Sequence, residues 1–178
     1  LKRLKLSKRM WWKHYGGLLI LGIIITPYTI SLLYIDAIEF TMDSFWYFFL
    51  LILFFGMWWN QYNILYFKVL DTKLNSTDSY TALIGAINSL KWEIRLEEQN
   101  KIEAINSAAN DVRTSGNEMI TILFEGSKIY INSVCNLDRG SKPQMLFSFG
   151  KNAENVGNLI DFYQENEAYI LSLKEEYK

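Results

Sequence analysis

The side chains able to shuttle protons, ligate metals or attack as nucleophiles are few in this sequence and far apart. The single histidine, His14, sits between Lys13 and Tyr15 and next to Trp11 and Trp12. General acid–base work needs a partner carboxylate and a pocket; the sequence near His14 offers neither, so it reads as a packing residue among aromatics. One His also excludes a two-histidine metal motif within the chain. One Cys, Cys135, excludes a disulfide framework and any multi-cysteine zinc or iron–sulfur site. With no base beside it, Cys135 reads as an inert, partly buried thiol. Glu97-Glu98 and Glu175-Glu176 place acids side by side, a pattern commoner on solvated faces than in acid–base pairs. One stretch, Gly150-Lys151-Asn152, opens a helix with free amides and a lysine, which suits an anion or a partner contact. The same glycine also suits an ordinary turn. No catalytic residue, cofactor-binding residue or metal ligand is assigned. No cofactor is expected, and the chain is not expected to be an enzyme.

The elements that carry these residues follow from charge and hydropathy. Hydrophobic residues make up 50% of the 178 and aromatics 16%, which excludes a disordered or collagen-like chain. No charge falls across the 21 residues from Tyr15 to Ile35 or the 24 from Ser44 to Phe67. As helices rising ~1.5 Å per residue, both runs reach across ~30 Å of bilayer hydrocarbon. The expectation is a membrane α-helical hairpin of two transmembrane helices at residues 15–69. A basic arm precedes it at 1–14, and a small α+β domain follows at 70–178. Pro27 is expected to kink the first helix. The chain opens on Leu1 rather than Met, so a few preceding residues are expected. A cleavable signal peptide is the competing reading of the first run. It is disfavoured because Ile38-Glu39-Phe40-Thr41 offers no small-residue cleavage site and a second apolar run follows.

Trp11, Trp12 and Tyr15 flank the first run, and Trp58, Trp59 and Tyr62 close the second. These amphipathic rings are expected as anchors at headgroup level. Lys2, Arg3, Lys5, Lys8, Arg9 and Lys13 crowd the N-terminal flank, whereas the connector carries Asp36, Glu39 and Asp43. The positive-inside rule then predicts an inner-membrane protein with both termini cytoplasmic. The absence of Asp, Glu, Lys, Arg and His inside either run argues against a transporter.

From Asp71 onward, 16 acids outnumber 11 bases and the bases do not cluster, so nucleic acid is not an expected partner. Leu70 to Ser79 reads as a linker in which Thr77 or Asp78 caps a helix. Tyr80, Leu83, Ile84, Ile87 and Leu90 recur at helical spacing. Trp92, Ile94 and Leu96 then alternate with polar residues as one strand. Gln99-Asn100 turns into a second strand over residues 102–107. A polar loop covers 110–117. Strands at 119–125 and 128–134 flank Gly126-Ser127, a two-residue hairpin signal with glycine first. A fifth strand is expected at 145–149. Asn152 is expected to cap a final helix on Val156, Leu159, Ile160 and Tyr163, continuing through Ile170 and Leu171. The order predicts an antiparallel sheet flanked by helices.

The stretches Lys128-Ile129-Tyr130-Ile131-Asn132-Ser133 and Phe149-Gly150-Lys151-Asn152-Ala153-Glu154-Asn155-Val156 resemble a widespread uncharacterised family of small bacterial domains. There, a strand ends in a polar-Ser pair and a Gly-x-Asn step opens the last helix. Asn132 stands where that pattern has Arg, and Phe149 where it has Leu. The resemblance covers residues 80–165 and implies the α+β fold, without an activity. In architecture alone, two membrane helices before a strand-rich domain are similar to two-helix effectors of bacterial antiphage signalling. Those bind a cyclic nucleotide, oligomerise and damage the inner membrane.

The expected function is a non-catalytic, membrane-anchored interaction module or accessory subunit of a larger inner-membrane complex. Its expected partners are the lipid bilayer and other membrane subunits or further copies of itself. The alternative is a ligand-gated two-helix effector that senses a small, nucleotide-type molecule in bacterial defence.

Overall fold

The computed structural model describes residues 2–35, 42–106, 118–135 and 150–176. The chain divides into two compact units, one of Leu6–Asn63 and one of Leu1–Lys5 with Ile64–Lys178.

The first unit holds two helices, α1 (Lys8–Ile35) and α2 (Met42–Ile64). Ser7 starts α1: its hydroxyl accepts from the Met10 amide at 3.3 Å and its carbonyl accepts from Trp11. The helix runs on through Pro27, and the Thr29 hydroxyl donates to the Ile25 carbonyl at 2.8 Å. The two helices pack antiparallel. Tyr15 meets Trp58 with ring centroids 5.2 Å apart, and Gly22 faces Phe54 so closely that an added Cβ would lie 2.9 Å from the ring.

The expectation of two transmembrane helices is overturned here. Among the described residues one helix is long and apolar enough to cross a membrane, over His14–Ser31. The second run differs from the first at its end. It closes on Trp58-Trp59-Asn60-Gln61-Tyr62-Asn63, where amides and polar rings follow the phenylalanines and leucines. Its last residues, Leu65, Tyr66 and Phe67, are not in the helix at all and belong to the second unit.

The second unit is α+β. Its elements are β1 (Lys68–Asp71), α3 (Ser76–Ser89), β2 (Glu93–Glu98), β3 (Lys101–Asn106), β4 (Glu118–Glu125), β5 (Lys128–Cys135) and α4 (Lys151–Glu176). Among the described residues the sheet has five strands in the order β1-β5-β4-β3-β2, all neighbours antiparallel. Ile102, Ile122 and Ile131 lie in one cross-strand row and are fully buried in a cluster with Leu83, Ile87 and Leu159 of the helices. Burying an aliphatic side chain of this size contributes roughly 1.5–3 kcal/mol, so this cluster is what holds the helices to the sheet.

Several boundaries differ from the sequence reading. The expected linker begins with a strand: β1 pairs Lys68–Asp71 with Lys128–Ile131 at the sheet edge. The expected strand at 145–149 lies outside the described residues. The α3 helix starts earlier than expected, because the Asn75 side chain, not that of Thr77 or Asp78, caps it by accepting from the Asp78 amide at 2.9 Å. At the other end of α3, Lys91 adopts φ +55°, its amide donates to Asn88 and the Trp92 amide donates to Ile87. This is the paired-carbonyl stop that usually employs glycine at the left-handed position.

Strand β2 does not alternate throughout. Ile94 lies opposite Ala104 but Leu96 lies opposite Glu103, so the register shifts by one at Arg95. Such a bulge moves every later side chain to the other face. Leu96 leaves the face of Ile94, and Glu97 takes the helix-side place, where it accepts from Tyr80 of α3. The hairpin at Gly126-Ser127 has glycine at φ +59° in its first position, as the sequence predicts.

The N-terminal residues of this unit form a short antiparallel ribbon. The Leu4 amide donates to Leu65 at 2.8 Å and the Phe67 amide donates to Lys2 at 3.1 Å. Lys2 forms an ion pair with Glu125, which holds that carboxyl below its ordinary range, and lies over the Tyr130 ring. Asn132 fastens the same ribbon from beneath, since its amide donates to the carbonyls of Ile64 and Tyr66, each at 2.8 Å.

Candidate functional site

The helix-facing side of the sheet changes character toward one end. Its central rows are isoleucine, but the row Ala104–Ile120–Ser133 introduces a hydroxyl and the next row begins Asn106–Glu118. The first turns of α4 bring Asn152 and Asn155, three residues apart and so on one helix face, into the same cluster. The Asn155 amide donates to Glu118 Oε2 and to Ser133 Oγ, the latter at 3.3 Å. Asn155 Oδ1 accepts from Asn106 at 3.0 Å, and Ser133 donates to Asn152 Oδ1 at 3.4 Å.

Glu118 is only 1% exposed. Burial pushes its carboxyl above the ordinary range, while the Asn155 hydrogen bond and the Lys151 charge pull it back down. Lys151 itself pairs with Glu154 at 3.2 Å. A buried carboxyl beside amides and a hydroxyl, at the positive end of a 26-residue helix, can bind a polar group or hold a proton.

Of the expected contact residues, the structure brings Asn152 into this cluster. Asn152 lies in the first turn of α4 with its side chain turned inward to Ser133, so it is not the cap expected from the sequence. Gly150 precedes the helix at φ +84°, and its carbonyl accepts from the Glu154 amide. The sequence reading did not single out Asn106, Glu118 or Ser133. The signal was there: counting back by twos from Ile122 and forward from Ile131 lands on Glu118 and Ser133 at inward positions.

The expected interfacial aromatics divide. Trp11, Tyr15 and Trp58 stack into one cluster, with Tyr15 5.3 Å from Trp11 and 5.2 Å from Trp58. Tyr15 is buried in it, whereas Trp12 and Trp59 are exposed. Trp59 stacks on Tyr62 at 6.2 Å. His14 is buried beside them, and its Nε2 donates to the Gln61 carbonyl at 3.1 Å, in keeping with a packing role. Along α1 an apolar groove of about 870 Å³ is lined by Leu19, Ile23, Thr26, Pro27, Ile30 and Phe54 among others.

Compared with known protein families and with curated proteins, the chain matches none.

Proposed function

We propose that this chain is an interaction module or accessory subunit held in the bacterial inner membrane by the apolar face of α1. The observation that supports the reading is the outward face of α1. Ile20, Ile23, Ile24 and Ile30 of the one candidate span are each more than 60% exposed. Covering each with acyl chains is worth roughly 1.5–3 kcal/mol, which water cannot supply. The arm residues Lys2–Leu4 pair with Leu65–Phe67, so α1 enters the membrane without placing the arm and the α+β unit on opposite sides of it. The basic flank before α1 supports the cytoplasmic side for both.

The test is fractionation of cells expressing the chain with a C-terminal tag, followed by a carbonate wash. The expected result is a tag that stays in the membrane pellet and is digested by external protease only after the inner membrane is opened. Release by carbonate, or digestion in cells whose inner membrane is intact, overturns the reading. Replacing Ile23 and Ile24 by lysine should move most of the chain out of the pellet.

A further inference from the structure

The cluster at the start of α4 holds two of the buried side-chain atoms that lack a partner among the described residues. Glu118 Oε1 and Asn152 Nδ2 are both buried and neither has a hydrogen-bond partner. Their residues are 1% and 7% exposed. A buried polar group left unmet costs about 1–3 kcal/mol, so an occupant that meets both atoms would stabilise the cluster. Everything else around them is engaged. Asn155 ties Glu118 to Ser133, and Ser133 ties on to Asn152. The two free atoms therefore hang from one short chain of hydrogen bonds, an acceptor at one end and a donor at the other.

Three kinds of occupant can be compared. An anion meets the Glu118 carboxyl and is repelled by it. A simple cation leaves the Asn152 N–H unmet and faces the positive end of α4. A neutral group that presents a donor next to an acceptor satisfies both atoms and adds no charge.

We propose that this cluster is a binding site for a small neutral ligand recognised by a carboxamide or lactam edge. The ligand N–H donates to Glu118 Oε1, and the ligand carbonyl accepts from Asn152 Nδ2. Ser133 and Asn155 act as positioning residues, since they hold the two contacting side chains through hydrogen bonds of their own. Primary carboxamides and the lactam edges of oxo-nucleobases share this chemistry. The site goes beyond the anchoring role and stands or falls independently of it.

The test uses the full chain in detergent and equilibrium dialysis against labelled uridine and labelled nicotinamide. Uridine carries a lactam edge, nicotinamide a carboxamide, and 3-methyluridine is uridine with the donor capped. The expected result is saturable binding of at least one of the two. Uridine binding alone assigns the lactam edge and should weaken at least 10-fold in 3-methyluridine; nicotinamide binding alone assigns the carboxamide. Glu118→Gln, which preserves shape but presents a donor where the acceptor stood, should weaken binding at least 10-fold. Asn152→Ala should do the same, with far-UV circular dichroism unchanged in both variants. If neither probe binds saturably, or the Glu118→Gln chain binds as well as the parent, the proposal is overturned and the two atoms are met by ordered water.

Discussion

Helix α4 covers two buried polar clusters, and they differ in how completely they are paired. Toward its middle, the Tyr163 hydroxyl lies 2.6 Å from Thr72 Oγ1 and 2.8 Å from Ser79 Oγ. Thr72 also donates to Glu167 at 2.8 Å, and the same carboxylate accepts from the Lys73 amide. This set joins the end of β1 and the start of α3 to α4, and Tyr163 is fully buried. Its phenol is pushed above its ordinary range, first by burial, with the Ser79 and Thr72 hydrogen bonds pulling the other way. At the first turns of α4, the Glu118 cluster is equally buried but leaves an acceptor and a donor over. A closed network of this kind adds stability and fixes the position of a helix. An open one has unused capacity, and that is what a ligand needs.

The contrast can be broken by measurement. The largest effect is expected at the closed end. Tyr163→Phe keeps the ring but strips a partner from Thr72 and from Ser79, and should cost about 1–3 kcal/mol in denaturant unfolding. A loss below a few tenths of a kcal/mol would mean that the network does not hold α3 and α4 together.

At the open end the expected effect depends on pH. The folded chain keeps the Glu118 proton to higher pH than the unfolded chain, so it binds more protons in the interval between the two pKa values. Stability attributable to this group therefore falls as pH rises from the ordinary carboxylate range through the raised value. Glu118→Gln removes that slope. Relative to the parent, the variant should become steadily more stable as pH rises through this interval and change little below it. Taking the difference between the two chains cancels the opposite contribution of Glu125, whose lowered carboxyl loses stability as pH falls. A constant difference at every pH would sink the account of Glu118.

The smallest effect is a reference point away from both clusters. Lys91 occupies a left-handed backbone position at φ +55° where the α3 stop favours glycine. Lys91→Gly should stabilise by up to about 1 kcal/mol and leave the pH slope unchanged. Destabilisation would show that the Lys91 side chain makes a contribution larger than the backbone strain it carries.

Much of the second unit was legible because local periodicity and burial agree there. The alternation of Ile120, Ile122 and Phe124, the glycine-first hairpin, and the helical spacing of Leu83, Ile87, Leu159 and Tyr163 all lie where the sequence puts them. The misreadings have physical causes. Lys68–Asp71 is too short and too exposed to show a strand pattern, and it pairs only because β5 offers an edge. The bulge at Arg95 has no signature in alternation, since it changes which residue is opposite which without changing the residues. The second candidate span was overrated because its amide-rich end and Leu65–Phe67, which lie beyond the helix, were counted into its length. The Glu118 cluster was passed over because each of its residues, taken singly, is an ordinary polar residue near the end of an element.

By itself the sequence determined the α+β order, the inward faces of the central strands, the apolar character of α1, and the scarcity of histidine and cysteine. These depend on residue type and on neighbours a few positions away, which fix backbone preference and the partition between water and an apolar core. Only the tertiary structure decided that Asn106, Glu118, Ser133, Asn152 and Asn155 meet, and that two of their polar atoms are left without partners. Pairing across strands and beneath a helix joins residues far apart in the chain, 49 positions in the case of Asn106 and Asn155. Whether a buried polar group is satisfied depends on that distant geometry, which local pattern does not encode.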